Sequence, residues 1–172
     1  MHVTAMRRRH LRQVLRIEQQ VYPQPWSMAL FLSELSMRGT RLYIVARVGA
    51  TVVGYAGLML IVGEGHISTI AVEPAWQRRT IGRRLLLTLI RRGIERGAAA
   101  LTLEVRMTNH AAQAMYRTFG FAPAGVRKNY YTATNEDALV MWAQDVDAPA
   151  YGDRLDEIEA SIPSITVVEN LP

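Results

Sequence analysis

Glu73-Pro-Ala-Trp-Gln-Arg-Arg-Thr-Ile-Gly-Arg-Arg-Leu-Leu-Leu-Thr-Leu89 directly follows the apolar run Ile67-Ser-Thr-Ile-Ala-Val72. The run reads as a strand and the longer stretch as a turn that opens an amphipathic helix. A strand, a tight turn and a helix N-terminus in that order leave several backbone N–H groups free beside the positive end of a helix dipole, a setting that suits a phosphate or diphosphate. Arg78, Arg79, Arg83 and Arg84 crowd the same turn and favour an anionic ligand. A plain surface helix start with solvated arginines is the competing reading.

Outward from this turn, the 172 residues are enough for one domain with a sizeable core. There is no cysteine, which excludes disulfides, thiolate metal sites and a cysteine nucleophile. His2, His10, His66 and His110 lack metal-ligand spacing, so no metal is expected. Arg7-Arg8-Arg9 is followed by a charged amphipathic stretch rather than an apolar signal core. The longest apolar run, near Val52 to Val62, contains Gly54 and Gly57 and falls short of the roughly 20 residues of a membrane span. These features predict a cytoplasmic protein. Residues 1–144 hold 19 of the 20 basic residues and 8 of the 15 acids, a net charge of +11; residues 145–172 hold one arginine and seven acids, a net charge of −6. A basic body favours polyanionic partners such as CoA phosphates, rRNA or a ribosomal surface. Genomic preference for arginine explains the same excess equally well.

The pattern predicts strands at Val3–Met6, Leu42–Val48, Val52–Ile61, His66–Val72, Ala100–Val105, Phe121–Tyr131 and Ala138–Trp142. Helices are predicted at His10–Val21, from a Ser27 cap through Leu35, at Ile81–Arg96 with Gly97 ending it, and at His110–Phe119 closed by Gly120. The order β-α-α-β-β-β-α-β-α-β-β argues for an α/β layer fold with a mixed sheet. Residues 1–144 form the expected domain. Residues 145–172 read as an acidic C-terminal tail, flexible or, alternatively, an arm packed on the body or a partner. An acidic tail folded over a basic ligand mouth would be autoinhibitory.

Four clusters carry a resemblance. Gln77-Arg78-Arg79-Thr80-Ile81-Gly82 resembles the acyl-CoA-binding motif of the GNAT N-acetyltransferases, with Thr80 where that family prefers glycine. Leu103-Glu104-Val105-Arg106 with Asn109, Ala114-Met115-Tyr116 and Phe119-Gly120-Phe121 resembles the signature of the N-terminal protein acetyltransferases. Arg127-Lys128-Asn129-Tyr130-Tyr131 with Glu136-Asp137-Ala138, and Pro25-Trp26-Ser27, are similar to further motifs of the ribosomal-protein-alanine N-acetyltransferase subgroup. The resemblance implies the GNAT fold over roughly residues 2–144, a mixed, mostly antiparallel central sheet with helices on both faces. It also implies acetyl transfer from acetyl-CoA to the α-amine of an alanine-starting, small-subunit ribosomal protein.

Residue chemistry and resemblance meet at Glu104. An acid inside the apolar run Leu101–Val105 has either a partner, such as Arg106 or another arginine, or a purpose, and desolvation is expected to raise its pKa. The family's matching glutamate is the proposed general base, and an α-amine with a pKa of about 8 needs only a weak one. Tyr116 matches the proposed general acid that protonates the departing thiolate; packing alone would also explain it. Asn109 reads as a helix N-cap that, by resemblance, also bonds the acyl-CoA arm. The resemblance gives backbone groups of Ile70, Ala71 and Val72 to the pantetheine, N–H groups from Gln77 to Gly82 to the diphosphate, and nearby arginines, Arg78, Arg79 and Arg83 among them, to the 3′-phosphate. Thr80 is β-branched, so a left-handed backbone there would be strained and a helical one harmless. Trp26, Tyr130 and Tyr131 are candidates for the peptide-binding rim, with hairpin packing as the alternative. His66 and Glu34 could line the same entrance, with an ordinary surface position as the alternative for each. The partner is thus a protein N-terminal peptide, with no nucleic acid or membrane, and a monomer or weak dimer is expected. A GNAT acting on lysine or a small amine, and a non-catalytic acetyl-CoA-binding module, are the rival readings.

Overall fold

In the computed structural model of the chain, in which residues 1–169 and 171 are described, the strands are β1 (His2–Ala5), β2 (Arg41–Val48), β3 (Thr51–Ile61), β4 (Glu64–Val72), β5 (Ala100–Arg106), β6 (Ala122–Tyr131), β7 (Glu136–Ala143) and β8 (Val167–Glu169). They form one sheet in the order β6-β7-β5-β4-β3-β2-β1-β8. Neighbours are antiparallel except β4 with β5 and β1 with β8, which are parallel. The helices are α1 (Leu11–Val21), α2 (Met28–Ser36), α3 (Ile81–Glu95), α4 (His110–Thr118) and α5 (Pro149–Ala160). The predicted elements of residues 2–144 are all present, with ends shifted by one or two residues.

At β2 and β3 the sheet is covered on both faces because these strands are apolar on both. In β2, Leu42, Ile44 and Ala46 face the larger core with Leu85, Leu86 and Leu89 of α3, while Tyr43 and Val45 face the smaller core with Leu11, Val14 and Ile17 of α1 and Phe31 of α2. Period-2 alternation in the strand thus meets a helical stripe on each side.

Two irregularities open the sheet at its centre. β4 and β5 pair only over Glu64–His66 with Ala100–Thr102. Just beyond, the β3–β4 register passes from Gly57↔Thr69 to Leu58↔Ile67, which leaves Ser68 as an extra residue in β4. Such a bulge bends its strand and increases its twist. β4 and β5 then diverge, and among the described residues the β5-facing edge of β4 beyond the bulge has no strand partner.

The C-terminal segment corrects the flexible-tail expectation. α5 buries Tyr151, Leu155 and Ile158 in the larger core, joined by Ile162. The Tyr151 hydroxyl donates to the carbonyl of Phe119 at 2.6 Å, and β8 adds to the sheet edge beside β1. Sequence patterning missed α5 because its charged residues dominate a short segment between prolines; its apolar residues, at positions 151, 155 and 158, do follow helical spacing.

Candidate active site

The divergence of β4 and β5 opens a cavity of about 880 Å³. β5 sends Glu104 into it, β4 sends His66, and α4 supplies Tyr116 from the opposite wall. The Glu104 side chain is only 8% exposed; its Oε2 lies 2.6 Å from His66 Nε2 and its Oε1 lies 3.3 Å from Arg127 Nη2. The His66 hydrogen bond, chiefly, holds the carboxyl below the usual carboxylate range, with the neighbouring charges of His66 and Arg127 adding to it against the burial that would raise it. This corrects the expectation of a raised pKa. Burial is real, but the ion-pairing partners outweigh it. Arg106, the partner considered from sequence, is engaged elsewhere: it bonds Glu136 at 2.9 Å and lies over the Tyr131 ring at 4.0 Å.

Both tyrosines of the Tyr130-Tyr131 pair line the cavity. A regular strand would send them to opposite faces. Here the β6–β7 register jumps from Arg127↔Ala138 to Tyr131↔Glu136, so residues 128–130 stand opposite Asp137 alone. Asp137 fixes the bulge by accepting from the Asn129 backbone N–H at 2.7 Å and from Lys128 at 2.9 Å, while Asn129 takes a left-handed φ of 49°. The two rings meet edge to face at 5.1 Å. Burial pushes the Tyr131 hydroxyl up to about 12.

Trp26 also lines the cavity, its ring 5.3 Å from that of Phe31, and its backbone N–H donates to Glu18 at 3.0 Å. Tyr116 is buried at 5% exposure, packs edge-on to Phe121, and is pushed far up by that burial. The raised pKa keeps the Tyr116 hydroxyl protonated at neutral pH, so it stands in the cavity as a donor, though a weaker acid than a free phenol. Asn109 caps α4, accepting from the Ala112 N–H at 3.1 Å. On β4, the Ile70 carbonyl accepts from the Tyr22 hydroxyl at 2.8 Å and the Val72 carbonyl from Gln77 Nε2 at 3.2 Å. Ala71 completes that edge of the cavity.

At the far end lies the turn that opens α3. Unlike α2 and α4, α3 has no side-chain cap. Its first-turn amides therefore have no side-chain acceptor, which fits a phosphate. Thr80 takes the strained alternative, with φ 61° and ψ 6°, and Arg78 is left-handed too at φ 58°. Gln77, Arg78, Thr80, Ile81, Gly82 and Arg83 line the cavity; Arg79 does not, and its guanidinium lies 5.0 Å over the Trp76 ring. The other arginines of the turn are only partly free. Arg83 donates to Ser161 at 2.8 Å, and Arg84 is buried against residues 163–166.

Sequence reasoning set His66 aside and passed over Glu18. His66 joins the site through the parallel register His66↔Thr102, which no sequence spacing announces. Glu18 did leave a signal, because it falls on the apolar face of α1 with Leu11 and Val14. It is 1% exposed, and burial raises its pKa to about 7. Glu34 is not at this site; it bonds Arg41 and Tyr43 and lines a separate basic groove of about 910 Å³ between β1, β2 and α2. Among the described residues none beyond 131 lines the active-site cavity, so the described part of the acidic segment does not cover its mouth. Its acids Asp156 and Glu159 instead meet Arg91, both at 2.7 Å. Among the described residues there is no cluster that could hold a metal, and no helix is long and apolar enough to cross a membrane.

Comparison with known proteins places this geometry in context. The family model described as "Acetyltransferase (GNAT) family" matches residues 11–121. The chain is 39% identical over 145 residues to the N-alpha-acetyltransferase RimI of Mycobacterium tuberculosis, spanning 81% of this chain and 89% of that protein. It is 38% identical over 127 residues to the [ribosomal protein bS18]-alanine N-acetyltransferase of Escherichia coli K12, spanning 73% and 84%. The crystal structure of the Escherichia coli ribosomal-protein-S18-alanine N-acetyltransferase superposes with a TM-score of 0.76 at 34% identity, covering 83% of this chain and 92% of that one.

Proposed function

The chain belongs to the acetyltransferase (GNAT) family, and from that premise we propose that it transfers acetyl from acetyl-CoA to the N-terminal α-amine of an alanine-starting protein, a small-subunit ribosomal protein, in the cytoplasm. The observation that carries this reading is one cavity with an uncapped helix N-terminus at one end and an ion-paired, buried carboxylate at the other. The relatives' named substrate, bS18, supplies the protein class.

Acetyl-CoA brings the activated thioester. The amides from Gln77 to Gly82, with Arg78 and Arg83, hold its diphosphate, and the open edge of Ile70, Ala71 and Val72 aligns the pantetheine arm in strand fashion. Asn109 at the head of α4 stands beside that arm. Tyr130, Tyr131 and Trp26 form rigid walls for the first residues of the incoming peptide. Glu104, already ionised at neutral pH, accepts the proton that the amine nitrogen sheds as it bonds the acetyl carbon, directly or through a water. As the C–S bond breaks, the Tyr116 hydroxyl hydrogen-bonds the departing sulfur and passes it a proton; because a thiol pKa of about 8.5 lies below that of the phenol, this transfer runs uphill and is completed as solvent reprotonates Tyr116. Each proton thus has one donor and one acceptor.

CoA release would be followed with acetyl-CoA and an alanine-starting bS18 peptide, beside the same peptide N-terminally blocked but carrying an internal lysine. Turnover on the free peptide alone is the expected result. Turnover on the blocked peptide would move the assignment to a lysine-directed enzyme. Acetyl-CoA binding without turnover on either peptide would make the chain a binding module.

A further inference from the structure

Thr80 sets a problem that its own turn does not solve. A β-branched residue with φ 61° is held in a conformation that L-residues avoid, and Arg78 two positions earlier shares it. Such strain persists only where the surroundings over-determine it.

The surroundings are Arg84 and the C-terminal arm. The Thr80 hydroxyl donates to the Arg79 carbonyl at 2.7 Å, and the same oxygen accepts from Arg84 Nε at 3.3 Å. Arg84 stands one helical turn later and is only 3% exposed. Its remaining donors go to the arm: Nη1 to the Ser164 carbonyl at 3.1 Å and to the Thr166 hydroxyl, Nη2 to the Pro163 carbonyl and to Ser164 Oγ at 3.2 Å. None of these acceptors is a carboxylate, so the arm orients this guanidinium without neutralising it. The arm is itself anchored on both sides of the contact. Ile162 is buried in the core and Ser161 accepts from Arg83, while Val167 donates its N–H to the Met1 carbonyl as β8 begins. All of residues 161–167 lie outside the stretch matched by the family model, which ends at 121.

We infer that Arg84, fixed by residues 163–166, is a positioning residue that holds Thr80 in its left-handed conformation and so keeps the amides of the Gln77–Gly82 turn set for the acyl-CoA diphosphate. The inference rests on the acetyl-CoA reading of that turn. Glycine at position 80 would adopt the conformation without strain and would make the brace dispensable. That dependence distinguishes a brace on the turn from a general loss of charge or of fold.

Calorimetric titration of CoA into the full chain tests this with Arg84→Met, Thr80→Gly and the double variant, each first checked for folding by circular dichroism. Arg84→Met should weaken CoA by about 5- to 30-fold, the factor that corresponds to one strained left-handed residue. In the Thr80→Gly background the same substitution should weaken CoA by less than about 3-fold, a non-additivity that reports direct coupling. Equal losses in both backgrounds, or no loss in either, overturn the brace while leaving acetyl-CoA binding intact. If Arg84→Met does not fold, Thr166→Val removes a single acceptor and serves in its place. It should give about 2- to 5-fold weaker binding with Thr80 present and no change beside Thr80→Gly, equal effects again overturning the inference. A full chain that binds no CoA would sink the acetyl-CoA reading itself, and the brace with it.

Discussion

Two carboxyls in and beside the cavity are driven in opposite directions, and their partners decide which way. Glu104 has His66 at 2.6 Å and Arg127 at 3.3 Å and is held ionised. Its pKa therefore stays out of the neutral range, and the rise of kcat/KM with pH should follow the substrate α-amine, near 8. Glu104→Gln should lower kcat about 10²- to 10³-fold with the bS18 peptide; a loss under about 3-fold would remove Glu104 from the proton path. Glu18 has only the Trp26 N–H on one oxygen and no partner on the other, and burial lifts it to about 7. A raised carboxyl binds its proton more tightly folded than unfolded, so its ionisation destabilises the fold as pH climbs from about 4.5 to about 7. His10, pushed down to about 4 by burial and by Arg9, Arg47 and Arg7, works in the opposite sense as pH climbs from about 4 to 6.5, masking Glu18 over much of that window. Glu18→Gln keeps an acceptor for Trp26 and should add about 1–2 kcal/mol of stability at pH 8 and almost none at pH 5. Urea midpoints at the two pH values measure it, and a gain that is the same at both would rule out ionisation of Glu18 as its source.

At the scale of elements, bulges do what the regular strands cannot. Residues 128–130 opposite Asp137 turn Tyr130 and Tyr131 to one side, and Asp137 ties that bulge with a charge-assisted bond to the Asn129 N–H. Asp137→Ala should release the pair and raise the peptide KM about 5- to 10-fold while leaving the acetyl-CoA KM within about twofold. Equal shifts in both constants would mean that the bulge supports the whole cleft rather than its peptide wall. This is also where the sequence stopped being legible. The strands and helices of residues 2–144 were readable because each carries its own period, and the apolar stripe of α3 or the alternation of β2 needs no tertiary information. Lys128 to Tyr131 could be quoted as a motif, yet nothing in their order says that three residues face one. The Ser68 bulge that parts β4 from β5 is equally silent, since it depends on the register chosen by β3. His66 was therefore readable only as a residue that could line the entrance, and Glu104 as a buried acid paired with some arginine, which is Arg127, but without His66.

Across the whole molecule, charge and burial suggest different reasons for the C-terminal segment to sit where it does. The basic body and acidic segment invite an electrostatic explanation, and Arg91 does meet Asp156 and Glu159. Those acids are well exposed, however, at 70% and 57%, and pairs of that kind contribute between nothing and about 1 kcal/mol. Tyr151, Leu155, Ile158 and Ile162 are all under 9% exposed in the main core, and each buried side chain of this size contributes about 1.5–3 kcal/mol. Burial therefore holds α5, and the charges only decorate it. Leu155→Ala should cost about 2–4 kcal/mol, which lowers the melting temperature by roughly 4–16 °C in a chain of this size. Asp156→Asn combined with Glu159→Gln should cost less than about 1 kcal/mol, and the wild-type urea midpoint should barely move on raising NaCl from 0.1 to about 1 M. If the charge variant proves the more damaging of the two, ion pairs rather than the apolar face fasten this segment. Since the same segment delivers residues 163–166 to Arg84, Leu155→Ala should also loosen CoA binding at temperatures well below its own melting point.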